Sequence, residues 1–211
     1  MGGTLFGRDS VEFRRLVALT DGIYAVAMTL LVVSIGIPRV PPEELPGLLL
    51  SAHGHLLTFV IAVAVLAFYW LSNLHFVRHL RAIDSVYTGL SMIYLGLIAF
   101  LPLPTALLDR YSDQPITVVL IVSTLLLVSL MELALFARAH RARLFQSKPP
   151  AQVVRYSVLV ALIPVFVFAL AIPIGLFSSP TYALAAWVLL NFPLRLLVER
   201  RLGPVAADPY L

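Results

Sequence analysis

Residues 16–37 read LVALTDGIYAVAMTLLVVSIGI, with Asp21 the one charged group in the stretch. A helix of that length rises about 33 Å, enough to cross the ~30 Å hydrocarbon core of a bilayer. Five more apolar stretches follow, at about 48–76, 86–108, 116–136, 153–177 and 182–197. Across the 211 residues, 60% are hydrophobic and 12% are charged, against roughly 25% charged in a soluble domain. Mean hydropathy is +0.95. One soluble core of this size cannot hide so much apolar surface, and a disordered chain would be far more polar. The apolar runs are continuous, so the spans are helices and not the alternating segments of a barrel. The expected fold is an all-α integral membrane protein of six transmembrane helices in a single domain, 1–211. Pro102, Pro104, Pro164 and Pro173 lie inside spans and should kink them.

The charges orient the spans. With six crossings, Arg8, Arg14, Arg15, Arg78, Arg81, Arg138, Arg141, Arg143, Lys148, Arg155, Arg195, Arg200 and Arg201 share one side. Arg39 and Arg110 lie on the other, with Glu43, Glu44, Asp109 and Asp113. Basic loops stay cytoplasmic, so both termini are expected there. The formal charge of +4 is accounted for by these loops, and nucleic acid is not an expected partner. Without cysteine there is no disulfide framework or thiolate metal site. The early charges Arg8, Asp9, Glu12, Arg14 and Arg15 argue against a cleavable signal peptide.

The first span differs from the rest because it carries Thr20, Asp21, Tyr24, Thr29 and Ser34. A carboxylate at mid-span costs ~2.5 kcal/mol or more and needs a partner. Arg15, six positions earlier, is within reach along the helix; a helix-start carboxylate at the interface is the plainer alternative. Leu19, Ile23, Val26, Leu30, Val33 and Ile37 recur at spacings of four and three. Such a stripe usually packs on a neighbour or faces lipid. In a symmetric oligomer it would line the axis, where apolar rings gate ions by dewetting.

The string from Arg15 through Leu19-Thr20-Asp21-Gly22 to Thr29-Leu30-Leu31 resembles the first helix of the transmembrane protein 175 family, the lysosomal potassium channel family with prokaryotic relatives. The family signature is Arg, three residues, then Phe-Ser-Asp. Arg15 and Asp21 match it, with Leu19 and Thr20 replacing Phe and Ser. Trp70 matches the family Trp of the second helix, and Asn73 stands where a His is usual. Phe100-Leu101-Pro102 matches a run in the third helix, with Ser91 at a position usually Asn.

The resemblance implies a prokaryotic plasma-membrane channel, a homotetramer with the first helix of each subunit around the pore. It implies a constriction at Val26, Leu30 and Val33, a potassium preference linked to Thr29, and a polar network of Arg15, Thr20, Asp21, Asn73 and Ser91. No cofactor is expected beyond permeant K+ in the pore. The chain has no Thr-Val-Gly-Tyr-Gly filter loop, so selectivity would come from pore width and threonine hydroxyls. No catalysis is expected. The alternative is a proton-coupled or other secondary transporter that titrates Asp21 and Glu132.

Glu132, late in the fourth span, is expected to pair with a basic residue such as Arg138 or to snorkel to the interface. His53-x-His55 beside Glu43 and Glu44 reads as a polar outer vestibule, because two ligands without a third do not fix a metal. His75 and His79 flank Arg78 at the interface. Tyr69, Trp70, Tyr182 and Trp187 read as packing or belt aromatics.

Overall fold

The computed structural model describes residues 4–34, 53–111, 113–147 and 149–177, with isolated positions elsewhere. In chain order these form β1 (Leu5–Gly7), α1 (Val11–Ser34), α2 (His53–Arg78), β2 (Ala82–Asp84), α3 (Ser85–Phe100), α4 (Pro102–Arg110), α5 (Pro115–Arg141) and α6 (Ala151–Phe177). Five helical segments among the described residues are long and apolar enough to cross a membrane, with α3 and α4 counted as one. The expected sixth span, 182–197, lies outside the described residues apart from Leu194 and Leu197, as does the segment 35–40.

Local chemistry sets the helix starts. Ser10 caps α1, its Oγ accepting from the Phe13 N–H at 3.2 Å, so the helix begins at Val11, before the apolar run. Asp84 caps α3 by accepting from the Tyr87 N–H at 2.7 Å. The third span breaks at Leu101, because Pro102 and Pro104 have no N–H for the carbonyls of Ile98 and Phe100. Pro164 and Pro173, in contrast, sit inside a continuous α6. α5 ends in a Schellman turn: Leu144 N–H reaches the Ala139 carbonyl at 2.9 Å and Arg143 N–H that of His140 at 3.3 Å. Arg143 takes the left-handed position, φ 55°, usually given to glycine.

The helices α1, α3 and α5 form the centre, with α2 and α4 against α1 and α6 against α5. The core is rich in tyrosine: Tyr24, Tyr69, Tyr87 and Tyr94 are all buried. One feature departs from the all-α expectation. β1 and β2 pair antiparallel, with Leu5 opposite Asp84 and Gly7 opposite Ala82. Arg8 N–H continues the ladder to the Arg81 carbonyl, and Arg81 N–H reaches that of Leu144, both at 2.8 Å. The basic end of the bundle is therefore one hydrogen-bonded platform. It ties the start of α1 to the α2–α3 and α5–α6 connections.

Candidate functional site

The packing seam of α1 is Phe13, Leu16, Thr20, Tyr24, Ala27 and Leu31, all buried. These recur at three and four residues, one face of a helix. The aliphatic stripe lies on another side. Val26 is 54% exposed, Leu30 44% and Val33 77%. Leu19 is also exposed, while Ile23 packs half-buried on the core. Of the alternatives open for this stripe, packing within the subunit does not hold for Val26, Leu30 and Val33, which are left outward. Thr29 is exposed beside it, and its hydroxyl donates to the Val26 carbonyl at 2.8 Å. With its proton spent on the helix, the oxygen presents its lone pairs outward.

Behind this face lies a polar junction. Trp70 Nε1–H donates to Asp21 Oδ1 at 2.9 Å, joining α2 to α1. Arg15 is exposed and makes no ion pair with Asp21; the carboxylate is held by an indole and not by the guanidinium expected from spacing. Thr20, Asp21, Asn73 and Ser91 converge on one cavity of about 30 Å³, also lined by Tyr87 and Tyr94. Roughly 10–15 Å³ of such space holds a water. The Thr20 hydroxyl donates to Leu16 O and that of Ser91 to Tyr87 O, each at 2.9 Å. Both oxygens thus retain lone pairs for the cavity.

Two contacts went unread in the sequence. The first is a hydrogen-bonded chain: Tyr94 OH donates to Glu132 Oε1 at 3.2 Å, and the Tyr24 and Tyr94 hydroxyls lie 2.5 Å apart. Since each phenol has one proton, Tyr24 is the donor to Tyr94. The available signal was tyrosine inside apolar spans, because a buried hydroxyl needs a partner. The second corrects the expected pairing of Glu132. Arg138 binds Asp84, with Nε at 3.1 Å from Oδ2 and a close second contact from Nη2. Burial raises the Asp84 carboxyl, but the Arg138 and Tyr87 hydrogen bonds outweigh it and hold it below the ordinary carboxylate range. The side chains of His53 and His55 lie outside the described residues, as does Glu44. Among the described residues no cluster of three metal-type ligands occurs.

Trp70→Phe tests the α1–α2 link. It keeps an aromatic ring and removes the donor. We expect a loss of about 1 kcal/mol, the usual value of one such bond, read as a lower melting temperature of the purified protein. An unchanged melting temperature would show that the link carries no stability.

Residues 15–102 match the family model described as endosomal/lysosomal potassium channel TMEM175. A potassium channel of Chamaesiphon minutus is 33% identical over 110 residues, covering 51% of this chain and 54% of that protein. A potassium channel of Streptomyces collinus is 30% identical over 104 residues, covering 47% and 49%. The chain thus spans about half the length of the curated relatives it matches. In fold, it is similar to the crystal structure of a lysosomal potassium-selective channel TMEM175 homolog from Chamaesiphon minutus. The TM-score is 0.74 at 22% identity, over 89% of this chain and 98% of that one. The potassium channel MtTMEM175, a variant solved with a Nanobody-MBP fusion protein, gives 0.65 at 18% identity, over 95% and 96%.

Proposed function

We propose that this protein, whose residues 15–102 match the TMEM175 family model, is a passive, potassium-preferring cation channel. Four copies assemble with α1 of each around a central axis, in a prokaryotic plasma membrane with both termini cytoplasmic. One observation carries the reading: a face of α1 bearing Val26, Leu30 and Val33 stays exposed in the subunit while the adjoining face packs. One bundle cannot enclose a symmetric pore with a single helix, whereas several copies of that face can. Val26, Leu30 and Val33 then form stacked apolar rings that gate by dewetting. Thr29 adds a ring of hydroxyl oxygens to favour potassium. Thr20, Asp21, Trp70, Asn73 and Ser91 hold α1 against α2 and α3 from behind.

The test is ion flux from the purified protein in liposomes, under a potassium and then a sodium gradient. Potassium flux exceeding sodium flux is expected. Thr29→Ala should keep the flux and shrink the potassium preference several-fold. Equal preference in wild type and variant would remove Thr29 from the pathway. Flux that saturates and is driven by a pH gradient would replace the channel with a carrier.

A further inference from the structure

Glu132 is an unusual carboxylate. It lies nine residues before the end of α5, about 14 Å along the axis, well inside the apolar span. Its one hydrogen bond among the described residues comes from the neutral Tyr94 hydroxyl. The nearest cation in sequence, Arg138, is committed to Asp84. A carboxyl at this depth is stabilised by a proton or by a counter-charge, and among the described residues no Lys or Arg is bonded to it.

Its other side faces a groove of about 420 Å³ between α2, α5 and α6, within the ~300–1,000 Å³ range of small-molecule sites. The groove runs from His79 and Pro149 at the basic end to Phe68 and Pro164 deeper in the bundle. Phe68, Phe76, Phe136, Phe145 and Tyr156 line it. Aromatic rings attract cations, and they suit an apolar body better than a hydrated metal ion, which wants several oxygen ligands. One acidic group set in an aromatic wall matches one class of molecule.

We propose that this groove binds a hydrophobic organic ammonium ion, with its charge on Glu132 and its apolar body among the phenylalanines of α2 and α5. The site is separate from α1 and stands whether or not the pore reading holds.

The experiment is calorimetric titration of the purified full-length protein with benzyltrimethylammonium, at constant potassium and ionic strength. Wild type should bind it. Glu132→Gln keeps an acceptor for Tyr94 and removes the charge; affinity should fall about tenfold or more. Ala161→Trp fills the groove, which Ala161 lines, and leaves the carboxylate; binding should be lost. This second variant decides the matter if Glu132→Gln does not fold. No binding to wild type would overturn the proposal. Binding unchanged in either variant would overturn it too, placing the ion on the α1 face or in the detergent.

Discussion

Leu30→Ala is expected to raise potassium flux about tenfold, as would follow from a barrier lowered by ~1.4 kcal/mol, and to weaken the preference over sodium. An apolar ring excludes ions because it holds too little water to solvate them. Shortening the side chain at one level of the pore widens the ring and lets water stay. Leu30 is 44% exposed in the subunit, so the truncation leaves no cavity in the packed core. Leu31, one residue on, is the control. It is 2% exposed, and Leu31→Ala should cost about 2–5 kcal/mol of stability as a core truncation without widening any pathway. Single-channel conductance with a check of assembly separates the two. Flux unchanged in Leu30→Ala, in a normally assembled protein, would take the pore away from this face.

Arg138→Ala should destabilise the bundle by about 3 kcal/mol, the lower end of what is lost when one partner of a buried ion pair is removed. The Asp84 side chain is 4% exposed and that of Arg138 31%, so the carboxylate is left stranded while the lost cation was partly solvated. The same carboxylate caps α3 and belongs to the β1–β2 ladder. The disturbance therefore reaches the start of α1 through the platform. The pH dependence has a definite sign. A carboxyl held below its ordinary value of ~3.9 stabilises the fold above that value, and the contribution is lost as pH falls through the lower folded value. Wild type should therefore lose stability on acidification below about pH 4, and Arg138→Ala should lose less. Thermal unfolding at pH 7 and pH 3.5 measures both. Equal melting temperatures for the two proteins at pH 7 would show that the pair contributes nothing.

Much of this was legible in the residues. Span positions followed from apolar length, and four of the five expected site residues beside the stripe, Thr20, Asp21, Asn73 and Ser91, line one cavity. Arg15 does not join them, because reach along a helix says nothing about a competing donor from another helix. Trp70 lies 49 residues from Asp21 and was read as packing. Proximity in sequence pairs Arg138 with Glu132, while the fold gives it to Asp84, 54 residues away.

The division has a physical basis. Sequence by itself determined that the chain is a multi-pass membrane protein, where its described spanning helices run, and that the first helix differs from the others. These follow from transfer free energy and length, which are sums over local residues. Only the tertiary structure decided which face of α1 is turned outward, which donor meets each carboxylate, and that Glu132 borders a groove. When nearly every residue is apolar, periodicity no longer distinguishes a packing face from an exposed one. Helix association then depends on close packing and hydrogen bonds between helices, and these exist only once distant segments have met.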